Sequence, residues 1–232
     1  KVSGSKIIDS QGIAALDSDG SIKSDIRTFW LPSNEGADGN DVMLGGVNLY
    51  LSGRSSMPNS TERIVVSNLY GGRLINFSRW HAIHYFGDVD TTIDAFGASS
   101  DKEMGELINW SRGLDVDDVN QDRRTNDSRT DKFGDPLHSK PVTIDYGNGD
   151  VRILIGTNAG YLHMFQDKND VLKESWAFIP RSLYKIIKPL RDNQKNTKVY
   201  GVDGPISVFF DDRNNDGVIQ TSDRVWAFFG LR

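Results

Sequence analysis

The sequence predicts an all-β fold with short helical insertions, organised as part of a β-propeller whose full ring this chain does not cover. Three observations predict it. Lys140–Asp145, Val151–Ile155, Tyr161–Phe165 and Ser175–Ile179 are four consecutive short apolar runs with turn chemistry between them, and four strands in about 40 residues is the spacing of one antiparallel propeller blade. Glycine, 23 of 232 residues, exceeds the usual 7% or so and fits many tight turns. The length suits one large β domain, so 1–232 is read as a single unit.

Taken in order, the stretch 1–45 alternates short apolar pieces with turn clusters such as Asp17-Ser-Asp-Gly20 and 34–41, which favour loops over helix. Neither cluster has oxygen-bearing residues at all the positions a calcium loop needs, and both are read as solvated turns. Arg63–Tyr70 and Arg73–Phe77 flank Gly71-Gly72 and predict a hairpin. Asp101–Arg112 places Met104, Leu107 and Ile108 on one face with Gly113 just beyond, a helix with a glycine stop. Residues 114–130 are dense in Asp and Arg and predict a long, mobile charged surface loop. Beyond the four strands, Ser182–Leu190 reads as a short helix, and Lys198–Asp203, Ile206–Phe210 and Arg224–Phe229 as further strands.

The chemistry concentrates in residues 212–223, Asp-Arg-Asn-Asn-Asp-Gly-Val-Ile-Gln-Thr-Ser-Asp. Asp212, Asn214 and Asp216 fall at positions 1, 3 and 5 of a twelve-residue calcium loop. Gly217 takes the turn at 6, Val218 offers its carbonyl from 7, and Gln220 and Asp223 complete 9 and 12. A hard cation needs six to eight oxygens, which such a loop delivers by folding back through its glycine. Ile219 supplies the apolar eighth position that ties the loop to a core. Asp rather than Glu at position 12 shortens the reach of the last ligand. The expected cofactor is Ca2+; the bland alternative is an Asx-rich turn between two strands.

Composition removes several function classes. With 27 Lys+Arg against 32 Asp+Glu, net charge −5, there is no basic field for nucleic acid. No apolar run approaches the roughly 20 residues that cross a bilayer, so membrane insertion is not expected. The chain has 0 Cys, which removes disulfides and thiolate chemistry.

Gly134-Asp-Pro-Leu-His-Ser-Lys-Pro141, Ile155–Phe165, Glu174–Pro180, Tyr200-Gly-Val-Asp-Gly204 and the acidic loop before Val225–Gly230 follow one another in an order that resembles the C-terminal propeller of the PilY/PilC type IV pilus tip-associated adhesins. Asp38–Gly46 and Leu107–Gly113 are similar to that family's lead-in, so the likeness is weak over 1–113 and strong over 131–232, with 114–130 between. The resemblance implies an exported, non-enzymatic protein of the pilus tip or outer surface of a bacterium. Its roles would be pilus biogenesis, control of extension and retraction, attachment and twitching motility. Its partners would be minor pilins and the pilus tip complex, with a host or abiotic surface touched through a domain outside this chain. It also implies further blades that would cover the exposed sheet edge. Carried onto this sequence, the family's calcium falls on Asp212, Asn214, Asp216, Val218 and Gln220, with Asp223 the last candidate. Gln220 stands where the family often has an acid, which lowers ligand charge.

Two other classes are weighed beside it. The hairpin 156–165 also resembles repeats of quinone-dependent dehydrogenases, but no vicinal cysteine pair is present and the calcium loop sits between strands, away from any central cofactor. A carbohydrate-binding propeller would use exposed tryptophans. The aromatics Trp176, Phe178, Phe209, Phe210, Trp226, Phe228 and Phe229 are instead assigned to packing between blades, since alternation buries one of each pair. His81 and His84 make half a zinc site with nothing to complete it, and no Gly-x-Ser-x-Gly elbow supports a triad at His138. Arg112-Gly-Leu-Asp115 is not an Arg-Gly-Asp tripeptide.

Overall fold

The computed structural model describes residues 2–4, 6–31, 34–39, 41, 43–55, 63–70, 72–85, 89–169, 171–193, 198–220 and 222–232. The chain runs β1 (Val2–Ser3), β2 (Lys6–Ile7), α1 (Gly46–Ser55), β3 (Val65–Tyr70), β4 (Arg73–Asn76), α2 (Arg79–Tyr85), α3 (Val89–Ala95), α4 (Asp101–Ser111), β5 (Val142–Asp145), β6 (Asp150–Gly156), β7 (Leu162–Lys168) and β8 (Val171–Ile179). A 3-10 turn, Arg181–Ile186, then leads into α5 (Ile187–Arg191), β9 (Ile206–Asp211) and β10 (Arg224–Phe229).

The four strands expected from the alternating pattern form one antiparallel meander, β5 to β8. It does not stand alone. The β3–β4 hairpin joins it by a parallel pairing of β3 with β8, giving a six-stranded mixed sheet in the order β4-β3-β8-β7-β6-β5. The sheet is open, with β4 and β5 at its edges, and β9 and β10 form a separate two-stranded hairpin. A closed ring of blades is therefore not formed by the described residues; the shown fold is sheet-rich with a few helices. Among the described residues, no helix is long and apolar enough to cross a membrane.

The two faces of the sheet carry different cover. On one, Phe77 and Phe96, which flank α2 and α3, join Ala82 of α2, Met104, Leu107 and Ile108 of α4 and Ile187 of α5 against Val65, Ala177 and Ile179, and α1 adds Leu51 beside Phe165 and Leu172. On the other, Ile144, Leu154, Leu162 and Met164 meet Ile206, Val208, Val225 and Phe229 of the β9–β10 hairpin. Strand alternation explains the split: odd and even residues of β6 and β7 point to opposite faces.

Helix α4 begins and ends for local reasons. The Ser100 side chain accepts from the Glu103 N–H, and the Glu103 carboxylate accepts from the Ser99 N–H at 2.6 Å, a reciprocal cap. Gly113 follows at φ +104°. The composition of α1, with Gly, Val and Ser, hides it from propensity; it is held by burial of Leu51, 0% exposed.

Two expectations are corrected. Residues 198–203 are not a strand. The chain there closes backbone to backbone: a Cβ on Gly201 would lie 2.8 Å from the Gly160 Cα, and one on Gly204 would lie 2.6 Å from the Gly230 Cα. That docking, with Val202 N–H donating to the Thr157 carbonyl at 3.1 Å, replaces a ladder. The charged stretch after α4 is a surface loop, as expected, but it is tied down. Leu114 and Asp115 are buried, Asp115 accepts from the Val119 and Asn120 N–H groups, Leu114 bridges Ser128, and Asp117 pairs with Arg191 at 2.6 Å.

Candidate metal site

The 212–223 segment is the connection of the β9–β10 hairpin, whose last pair is Asp211 opposite Arg224. Strand before, loop, strand after is the context its flanking sequence implies. The register aims Ile206, Val208, Val225 and Phe229 into the core, where Ile219 of the loop joins them, so the apolar eighth position anchors the loop as expected. Asn215 at φ +57° and Gly217 at φ +74° make the two left-handed turns, which those two residue types tolerate best.

Each candidate ligand has a traced place. The Asp212 carboxylate accepts from the Gly217 N–H at 2.7 Å and the Asp216 N–H at 3.3 Å. Asp216 accepts from the Val218 N–H at 2.9 Å, from Asn214 Nδ2 at 3.0 Å and from Gln220 Nε2. Asp223 reaches back across the loop to the N–H groups of Gln220 at 2.8 Å and Arg213 at 3.2 Å. Burial works to raise the Asp223 pKa, but these backbone donors, with the Ser222 hydroxyl and nearby Arg213, hold it below the ordinary carboxylate value. Asp216, Asn214 and Gln220 are thus brought together, while Asp212 and Asp223 close the loop's two ends. Val218 is exposed, beside the β5–β6 turn at Gly147.

The arrangement is a loop whose carboxylates accept from its own backbone N–H groups. Among the described residues, no three His, Cys, Asp or Glu side chains form a metal-binding group. Amide oxygens and a main-chain carbonyl would have to complete the shell, as in loops of this length. Asn214 and Gln220 now point NH2 groups at Asp216; rotating either amide by 180° places its oxygen there instead.

The histidines resolve as packing and pairing groups, together with one dyad that sequence spacing does not show. His81 bonds Ser78 at 2.8 Å, and His84 stacks on Trp80 with ring centroids 4.2 Å apart. His138 Nδ1 lies 2.6 Å from the buried Asp203 carboxylate, 65 positions along the chain. The larger omission is a buried ionic cluster. Arg63 Nε and Nη2 donate to Glu174 at 2.6 and 3.0 Å, and His163 Nδ1 lies 2.9 Å from the same carboxylate. Its one sequence signal is Glu174 standing at a buried position of β8, between the exposed Lys173 and the half-buried Ser175.

The aromatic assignment holds in part. Trp176 and Phe229 pack in the core, and Phe178 meets Phe229 edge to face at 6.0 Å. Phe209, Trp226 and Phe228 are 58%, 50% and 59% exposed, and Phe209 sits directly opposite Trp226. Alternation turns Phe210 and Phe229 to the inner face of the hairpin and leaves Phe209, Trp226 and Phe228 together on the outer one, which the assignment to packing does not account for. Compared with known proteins, the chain matches no family model, no curated protein and no solved structure.

Proposed function

We propose that this chain is a non-enzymatic, calcium-binding β module of a pilus tip-associated adhesin of the PilY/PilC kind, exported to the outer surface of a bacterium. The observation that carries the reading is the twelve-residue β9–β10 connection, with every calcium-loop position filled and its eighth residue in the core. The order of strings from Gly134 to Gly230 supports the family, and the β5–β8 meander supports a propeller blade.

In this reading Asp212, Asn214, Asp216, the Val218 carbonyl, Gln220 and Asp223 hold Ca2+. The ion joins both ends of the loop and stiffens the β9–β10 hairpin, whose outer face would then meet minor pilins. A dissociation constant between about 10⁻⁶ and 10⁻³ M fits an extracellular module.

Calorimetric titration with calcium, with magnesium as competitor, tests the site. One site in the wild type, lost in Asp216→Ala, supports it; no heat in either removes it. Co-purification with minor pilins tests the pilus role, and oxidation of an alcohol with added quinone cofactor would replace it with the dehydrogenase reading. The exposed Phe209, Trp226 and Phe228 favour a second reading, carbohydrate binding on that face. Oligosaccharide binding abolished in Trp226→Ser would select it.

A further inference from the structure

A cleft of about 510 Å³ opens between the N-terminal segment, the start of α1 and residues 131–136, on elements separate from the calcium loop. Its volume lies within the roughly 300–1,000 Å³ of small-ligand sites. Two kinds of side chain dominate it. Phe29, Trp30 and Phe133, all half-buried, supply aromatic wall, and Asp41, Asp131 and Asp135, all exposed, supply carboxylates. No Lys or Arg is among the described residues that line it.

The wall is built, not accidental. Phe29 and Trp30 stand edge to face, 6.1 Å apart at 76°, so their ring planes form a corner. Gly46 lets α1 close on that corner, since a Cβ there would lie 2.9 Å from the Trp30 carbonyl carbon. Phe133 is braced by Phe165 at 5.9 Å and His163 at 5.1 Å. The exposed carboxylates differ in how far they are engaged: Asp41 accepts one N–H, from Met43 at 2.9 Å, while Asp131 lies within electrostatic reach of Arg129 and Lys132, neither of which lines the cleft. Asp135 accepts from Asn158 at 3.3 Å and has Lys198 at 3.9 Å in an exposed pair.

We propose that this cleft binds an organic cation, an ammonium or guanidinium group carried on a small apolar body. The chemistry selects that class. Ring faces attract cations through their quadrupole, tryptophan best, and one-signed charge lining a cleft concentrates the opposite sign. A bare metal ion would need six to eight converging oxygens, whereas aromatic rings make up much of this wall. A purely apolar ligand would strip water from the carboxylates with nothing in return. Either a free small molecule or a Lys or Arg side chain of a peptide carries the required group.

The test is calorimetric titration of the full chain at low salt with choline and with N-acetyl-arginine amide. The neutral isosteres 3,3-dimethylbutanol and N-acetyl-citrulline amide serve as controls. At least one cation should bind about tenfold more tightly than its isostere, weaken as salt rises, and lose about fivefold or more in Trp30→Leu and in Asp131→Asn, as expected for a partly desolvated cation–π contact. Choline binding alone identifies a free small cation, and arginine-amide binding alone a peptide side chain. Failure of both cations to bind at millimolar concentration overturns the proposal, as does equal binding of the isosteres. Should Trp30→Leu not fold, Asp131→Asn and Asp135→Asn, both at exposed positions, decide the matter by themselves.

Discussion

Replacing Glu174 with alanine should be the most damaging single side-chain deletion in the sheet. Its carboxylate is 1% exposed and faces an Arg63 guanidinium that is 2% exposed. The pair is bidentate, at 2.6 and 3.0 Å, and the same carboxylate lies against His163 Nδ1. Burial works to raise the Glu174 pKa, but Arg63 first and His163 next outweigh it and hold it at about 2. Deleting the carboxylate strands the Arg63 charge in the interior, which costs about 3–5 kcal/mol. Against a total stability of roughly 5–15 kcal/mol, and at about 2–4 °C per kcal/mol for a chain of this size, Tm should fall by roughly 6–20 °C.

Scanning calorimetry of the wild type, Glu174→Ala and the double variant Arg63→Met/Glu174→Leu reads this directly. The double variant should regain much of the loss, because the Arg63 charge leaves with its partner, although the Arg112 carbonyl loses the Arg63 donor at 3.0 Å and the buried Arg112 guanidinium loses the attraction of Glu174. A Glu174→Ala variant within about 1 kcal/mol of wild type would refute the reasoning, as would a double variant no better than the single. The pH dependence gives a separate check. A lowered Glu174 pKa means stability that is fully present above about pH 4.5 and lost as pH falls toward about 2. Burial lowers the His163 pKa below 6.5, so the unfolded chain takes up that proton first and stability begins to fall below about pH 6.5. Both slopes have the same sign. Glu174→Gln should flatten the lower one.

Other consequences are quicker to state. Calcium at 100 times its dissociation constant should add about 2.7 kcal/mol, a Tm rise of roughly 5–11 °C that chelator reverses and Asp216→Ala abolishes. Gln220→Glu should tighten calcium binding by adding ligand charge while lowering the metal-free Tm, since it replaces the Gln220 donor to Asp216 with a like charge. Gly156→Ala would place a Cβ 2.2 Å from the Val202 carbonyl oxygen and 2.6 Å from Val202 Cγ1, so overpacking should cost about 1–3 kcal/mol by denaturant titration. On β10, Phe228→Ser should change stability by no more than about 0.5 kcal/mol, whereas Phe229→Ala, one residue on and facing the core, should cost about 3 kcal/mol.

What could be read in advance follows from how far apart the cooperating residues lie. The β5–β8 meander, α4 and the 212–223 loop are each specified within about a dozen neighbouring residues per element: alternation sets the strands, Gly113 stops the helix, and Gly217 turns the loop, to which the structure adds the Ser100 cap and the left-handed Asn215. Long-range pairings left almost no local trace. The parallel match of Val65–Ser67 with Ala177–Ile179 joins segments more than a hundred positions apart. It converts what reads as a four-stranded blade into a six-stranded sheet, because the β3–β4 hairpin looks the same in sequence whether it pairs with β8 or stands alone. The Arg63–Glu174 contact, 111 positions apart, rides on that same pairing.

This dependence ranks the two electrostatic features of the molecule by what each requires. The proposed calcium loop draws its ligands from its own twelve residues, closed by the Asp211–Arg224 pair and tied to the core through Ile219, so its pattern is legible in the sequence without the long-range pairing of the sheet. The Arg63–Glu174–His163 cluster exists only once β3 has docked beside β8 and placed Arg63, just before β3, next to Glu174. Calcium should therefore stabilise the β9–β10 hairpin locally, whereas disruption of the buried cluster should weaken the six-stranded sheet as a whole. Amide hydrogen exchange would separate the two: chelation should speed exchange around 206–229 alone, and Glu174→Ala should speed it through β3, β7 and β8 together.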